Sequence, residues 1–292
     1  MKTIIKTLPW GLIVFLVTLC TSSTGPGTAI SKDDVEIHYT VYGESGPLLV
    51  LVHCWCCDQT YWENQVELLA RKYRVVTIDL AGHGLSGTNR EEWTMQSYAS
   101  DVVSVVRKLN PDRIILVGHS MGGFVVMYAA LQLKDLLAGI ILVDSLHDIW
   151  WPIPDSIYEA AIQPYYDSFR QHTYDYVNNV LFPPSADSAI KEKIAQDMSS
   201  APPEVGTGSI ISMWGGNYSD VLEGIVNLDV PVWLMNIEMF PTDYKAMDSL
   251  GFQVVALPGV GHFPMLEKPD VFNGLFLEAL KEMGECDSWF LD

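Results

Sequence analysis

The chain has 292 residues, with 36 acidic and 17 basic side chains, a net charge of −19 at neutral pH and apolar residues at 49% of positions. That length suits one large α/β domain carrying an inserted subdomain, and so apolar a composition excludes a disordered chain. So acidic a surface repels phosphate backbones and anionic lipid, which argues against nucleic acid as a partner and leaves a small molecule as the expected one.

In chain order, Lys2 and Lys6 precede a mostly apolar run, Leu12 to Leu19, and Thr21-Ser22-Ser23 supplies small residues. This reads as an export signal over residues 1–23. The run is too short to span a bilayer comfortably, so no stable membrane span is expected after cleavage, and the location read is periplasmic or secreted. An uncleaved anchor and lipidation at Cys20 are the alternatives. Cleavage would remove two lysines and no acid, moving the charge from −19 to −21.

Residues 34–43 alternate apolar and polar side chains, as in a half-buried strand near a sheet edge. Pro47 to His53 is a continuous apolar run, expected of a strand buried on both faces. The cluster Cys54-Trp55-Cys56-Cys57 follows, then a helix expected from Tyr61 to Arg71. Tyr73 to Leu80 is a second buried strand, ending in the glycine-rich loop Asp79-Leu80-Ala81-Gly82-His83-Gly84-Leu85-Ser86, and Trp93 to Leu109 has helical spacing. The chain carries five cysteines, of which Cys54, Cys56 and Cys57 cluster and Cys286 lies near the C-terminus. An exported protein could pair them; the other reading is small buried hydrophobes. The cluster lacks two separated Cys/His pairs, so no zinc site is expected.

Four apolar residues, Ile114 to Val117, then end abruptly in Gly118-His119-Ser120-Met121-Gly122. Helix-compatible residues run from Phe124 to Leu133. Strand, tight turn and helix would put Ser120 at the apex, with both glycines needed for close approach of neighbouring elements. Gly139 to Asp144 is another buried strand with a carboxylate at its C-terminal end; Val230 to Asn236 and Phe252 to Leu257 are the last two. Such alternation predicts a mostly parallel central sheet with helices on both faces. Residues 146–222 break the rhythm. They hold no convincing strand, many prolines, and the aromatics Trp150, Trp151, Tyr158, Tyr165, Tyr166, Phe169, Tyr174, Tyr176, Phe182 and Trp214. They read as a helical cap over the C-terminal sheet edge, with two or three aromatics lining a pocket. Asn217-Tyr218-Ser219 is a glycosylation acceptor only in a eukaryotic secretory setting.

A serine hydroxyl needs a base within reach, and the base an orienting acid. Among seven histidines, His262 stands out, in the loop Pro258-Gly259-Val260-Gly261-His262-Phe263 after the last strand. Nucleophile first and histidine last is the chain order this topology requires. Asp144 is the preferred acid, on the register that the resemblance given next implies, and Glu238 is the alternative.

Together, His53 before the first turn, Asp79 to Ser86, Gly118 to Gly122 and Gly259 to Phe263 make the chain resemble the α/β-hydrolase fold superfamily over nearly all of its length after residue 30. The rhythm of elements divides it into a core, residues 30–145 and 223–292, and the cap, residues 146–222. The resemblance implies an oxyanion hole from the backbone N–H groups of Trp55 and Met121. It also exposes a departure: relatives usually carry Gly where this chain has Cys54, and a side chain there reshapes the acyl pocket. The position matching the acid of many relatives is Phe240, which cannot serve. The expected activity is hydrolysis of an ester-type bond of a small, partly apolar substrate through an acyl-enzyme. Carbon–carbon or lactone hydrolysis, or small-molecule binding without catalysis, are the alternatives. No metal or organic cofactor is called for, and the sequence sets no oligomeric state.

Overall fold

The computed structural model describes residues 24–149 and 153–284. The export signal, Cys20, Trp150, Trp151, Pro152 and Cys286 lie outside the described residues. Eight strands form one sheet: β1 (Gly25–Ile30), β2 (Glu36–Tyr42), β3 (Leu48–Val52), β4 (Arg74–Ile78), β5 (Ile114–His119), β6 (Leu137–Val143), β7 (Val232–Ile237) and β8 (Gln253–Leu257). Their order is β1-β2-β4-β3-β5-β6-β7-β8. β2 pairs antiparallel with β1 and β4, and every other pairing is parallel. The buried runs of the sequence are the central strands: β3 and β5 are buried at every position, because helices cover the parallel part of the sheet. β2 alternates buried and more exposed residues, as an outer strand does.

One strand was not expected. β1 begins at Gly25, five residues before the anticipated start of the core, and holds Pro26 in Gly-Pro-Gly. A proline cannot donate to a ladder, which hides a strand in the sequence, but β1 lies at the sheet edge where one side needs no donor.

The expected helix over 61–71 is a 3-10 turn, Gln59–Trp62, running into α1 (Glu63–Leu69). α2 (Met95–Leu109) starts where Thr94 accepts the Ser97 N–H and stops at Asn110, in the left-handed region at φ 45°. α3 (Met121–Gln132) begins three residues earlier than the sequence suggests, because Gly122 and Gly123, poor helix formers, are inside it. Four helices follow: α4 (Asp155–Val180), α5 (Ser188–Ser199), α6 (Pro203–Gly215) and α7 (Ser219–Val226). α4 contains Pro164 and is interrupted at Ser168, whose φ of −159° and ψ of 75° are not helical. No strand occurs among the described residues of this insertion. Its expected limit at residue 222 falls inside α7, which turns Val221, Leu222 and Ile225 inward. The chain closes with α8 (Tyr244–Ser249), α9 (Pro264–Glu267) and α10 (Pro269–Glu282). Among the described residues no helix is long and apolar enough to cross a membrane.

The loop after β4 is anchored by a buried charge. The Arg90 side chain, 2% exposed, lies 2.7 Å from Asp33 and 2.6 Å from Asp101 of α2. Asp101 also accepts the Ala81 N–H at 3.1 Å. Truncating the arginine leaves the Asp101 charge buried without its partner. Arg90→Ala is therefore expected to lower the unfolding free energy by about 3–5 kcal/mol, read from urea midpoints at neutral pH.

Candidate active site

Ser120 sits between β5 and α3 with φ 54° and ψ −117°, a backbone conformation that non-glycine residues rarely adopt. Its N–H donates to the Val143 carbonyl of β6 at 2.9 Å, which holds the bend against the neighbouring strand. A Cβ on Gly122 would lie 2.5 Å from the His53 carbonyl oxygen and 2.6 Å from that of Val52; one on Gly118 would overlap the Gly122 carbonyl. The steric argument for both glycines therefore has named backbone neighbours. Gly123 is equally constrained, by the Ser145 side chain, which the motif alone does not reveal. Met121 is the first residue of α3, so its N–H has no intrahelical acceptor.

The other end of the chain meets this bend. His262 Nδ1 lies 2.5 Å from Asp144 Oδ2, at the end of β6. Asp144 itself has φ 47°. Its second oxygen accepts the Ile237 N–H at 3.1 Å and lies 3.0 Å from Nε2 of His147. Burial would raise the Asp144 carboxyl, but the two imidazoles outweigh it and hold it well below the usual carboxylate range. Burial would likewise lower His262, but Asp144 and the Cys54 thiol push it up to about 10. The loop carrying His262 is fixed on several sides. Its N–H donates to the Leu181 carbonyl at the end of α4 at 2.8 Å, and its carbonyl accepts from His119 Nε2 at 2.6 Å. The Glu267 carboxylate accepts the N–H groups of Gly261 and Phe263 at 2.9 and 3.2 Å. A Cβ on Gly261 would lie 2.5 Å from the Leu181 oxygen. Glu238, the alternative acid, is exposed, and Asp243 caps α8 through the Ala246 N–H. Phe240 presents its ring to His262 at 6.4 Å between centroids. His147 and Glu267 carried no sequence signal, since their roles arise only from the meeting of loops distant in the chain.

The turn after β3 completes the site. His53 Nε2 accepts the Leu80 N–H at 3.1 Å, so its Nδ1–H donates to the Cys54 carbonyl at 2.7 Å. Burial lowers His53 to about 4, which keeps the ring neutral in that role. The Cys57 N–H closes the turn onto the same carbonyl at 3.2 Å, with Cys56 at φ 55°. The Trp55 indole donates to the Gly206 carbonyl of α6 at 2.8 Å and packs edge-on against Tyr165 and Phe169 of α4. The Cys57 thiol donates to Cys54 Sγ at 3.4 Å, and Cys54 Sγ also meets Ser120 and His262. The departure noted in the sequence thus places a thiol in contact with both Ser120 and His262. Cys54, His119 and His262 also offer donor atoms within 4.8 Å of one another, a three-donor cluster invisible in the sequence spacing, although His119 Nε2 is already bonded to the His262 carbonyl.

A cavity of about 250 Å³ joins these groups. Cys54, Ser120, Asp144 and His262 line it from the core, and Met198, Ile210, Met213 and Trp214 from the insertion. Of the insertion's described aromatics, Tyr176 and Trp214 line the cavity. Tyr165 and Phe169 pack on Trp55 instead, and Tyr174 bonds Glu192.

Comparison with known proteins places this arrangement. The profile of the Alpha/beta hydrolase family matches residues 49–275. The chain is 30% identical over 159 residues to a bifunctional esterase/perhydrolase of Acinetobacter calcoaceticus, covering 53% of this chain and 54% of that one. It is 32% identical over 111 residues to a soluble epoxide hydrolase of Corynebacterium, covering 38% of each. Matches to curated relatives span between 30% and 54% of those proteins' lengths. Among solved structures, a thermophilic esterase from Thermogutta terrifontis superposes with a TM-score of 0.75 at 25% identity, over 88% of this chain and 98% of that one.

Two outcomes test the geometry. Gly122→Ala should lower the unfolding free energy by about 1–3 kcal/mol, measured by urea denaturation, because carbonyl groups rather than a flexible side chain occupy the space. In proton-detected titration, the His262 ring should keep its proton well above the ordinary histidine range. Asp144→Asn should move that titration down by about 1–3 pH units, since the carboxylate favouring imidazolium is gone.

Proposed function

The chain belongs to the alpha/beta hydrolase family, and on that premise we propose that it is a serine hydrolase acting on ester-type bonds of small, partly apolar substrates. The observation that carries this reading is the meeting of Ser120, on its positive-φ bend, with the Asp144–His262 pair on one cavity of about 250 Å³. Ser120 Oγ attacks the carbonyl carbon and His262 takes its proton, while Asp144 stabilises the imidazolium. The oxyanion is received by the N–H groups of Trp55 and Met121, each contributing about 3 kcal/mol to barrier lowering. His262 then protonates the leaving alcohol. Water, deprotonated by His262, attacks the acyl-enzyme and releases the acid.

The cavity supports a small, neutral acyl portion. Its volume is below the ~300–1,000 Å³ typical of drug-sized ligands. Its walls are mostly apolar, and among the described residues its only carboxylate, Asp144, already lies against two histidines. Chemistry disfavours epoxide opening here. A serine alkoxide would form an ether with the opened ring, and water does not release an ether as it releases an ester. The same argument leaves cyclic esters within the proposed class.

Incubation with a serine-directed phosphonate is expected to give one adduct, on Ser120, lost in Ser120→Ala; absence of an adduct from the folded protein would favour a binding protein. On p-nitrophenyl esters of graded length, acetate and butyrate should exceed laurate by roughly tenfold in kcat/KM, as the cavity volume dictates. Ser120→Ala should lower kcat by a factor of about 10³ or more. The pH profile carries its own sign. Catalysis needs neutral His262, and both Asp144 and Cys54 favour the charged ring, so the acid limb of kcat/KM should lie above the ordinary histidine range. Cys54→Gly removes one of the two stabilising groups, and the limb should move to lower pH.

A further inference from the structure

Cys54 and Cys57 bracket the turn that carries the Trp55 N–H. The Cys57 N–H to Cys54 carbonyl bond, 3.2 Å, is the closing bond of a β-turn, which keeps the two Cα atoms within about 7 Å. That overlaps the ~4.4–6.8 Å spanned by disulfide bridges. The Sγ atoms are 3.4 Å apart, so an approach of about 1.4 Å reaches the ~2.05 Å of a bond. The third cysteine of the cluster points elsewhere: Cys56 Sγ faces Gly206 and the cap, where a Cβ on that glycine would lie 3.0 Å from it.

The two thiols also differ in character. Cys54 lines the substrate cavity beside His262, whereas Cys57 does not. Burial would raise the Cys54 thiol, but the Cys57 hydrogen bond and the His262 contact outweigh it and bring it down to about 6. Burial, together with Cys54 as a neighbour, raises Cys57 well above the usual range. Cys54 is thus the nucleophilic sulfur at neutral pH, and Cys57 keeps its proton.

We propose that Cys54 is a hydroperoxide-reactive thiol and Cys57 its resolving partner, the two closing a disulfide across the turn when a small peroxide enters the cavity. The Cys54 thiolate attacks one peroxide oxygen and the O–O bond breaks. The departing oxygen takes a proton from His262 and leaves as water or alcohol, and Cys54 becomes a sulfenic acid. Cys57 Sγ then attacks Cys54 Sγ. The S–O bond breaks and hydroxide leaves as water with the Cys57 proton. One peroxide is reduced and two thiols are oxidised. The bond withdraws the thiol from His262 and fixes the turn that presents the Trp55 N–H. The site stands on the cavity and the turn, whatever the protein hydrolyses.

The test uses the full chain, reduced and then freed of reductant, treated with a slight excess of hydrogen peroxide, alkylated under denaturing conditions and digested. The peptide holding Cys54, Cys56 and Cys57 is expected to lose two hydrogen masses and to carry a single alkyl group, on Cys56. Cys56→Ser should retain that loss, and Cys57→Ser should instead give a dimedone adduct on Cys54. Three results would overturn the proposal: an unreactive wild-type peptide, a Cys54 oxide with Cys57 still alkylated, or loss of the reaction in Cys56→Ser. Should Cys57→Ser fail to fold, the wild-type and Cys56→Ser digests alone decide.

Discussion

A buried carboxylate with its charge intact is the constraint on which the rest of the site depends. Asp144 is shielded from water, where an unpaired charge would cost several kcal/mol. It is kept ionised by groups from different parts of the chain: the His262 imidazole, the close approach of the His147 ring, and the Ile237 N–H of β7. Because those groups come from the loop after β8, the segment after β6 and the end of β7, satisfying one side chain gathers the C-terminal ends of adjacent strands. The positive φ at Asp144 is strain that this pairing offsets.

The second organising feature is contact between backbones. The carbonyl groups at the end of β3 press on Gly122, the Leu181 carbonyl presses on Gly261, and Ser120 is tied to β6 by its own N–H. The site is therefore positioned by main-chain atoms, whose places vary less than those of side chains. The insertion joins in through Trp55, whose indole bonds Gly206 while its ring packs on α4. A cap residue thus steadies the peptide that would receive the oxyanion.

Much of the fold was legible in the sequence because burial on both faces writes itself as apolar runs. Leu48 to Val52, Ile114 to Val117 and Gly139 to Val143 could hardly be anything but central strands. β1 was not legible, since an edge strand tolerates Pro26 and needs no such run. Ser120 and Asp144 could be placed at the ends of strands, and His262 after the last one, from order alone. What order cannot give is which loops touch. His147, Glu267 and the Leu181 carbonyl became partners of the site only through tertiary approach, and the exposed position of Glu238 likewise follows from how the chain leaves β7. Cys54 was visible as a departure, but only the closed turn reveals that its neighbour in space is Cys57 rather than Cys56.

The hydrogen bond from the His262 N–H to the Leu181 carbonyl has a mechanical meaning. Leu181 caps the long bent helix α4, whose Tyr176 also lines the cavity. That end of the helix is bolted to the very loop that carries the imidazole. Any swing of α4 wide enough to admit a bulkier guest must either break this bolt or drag the ring away from its carboxylate, so widening the cavity and keeping the His262–Asp144 pair are geared together.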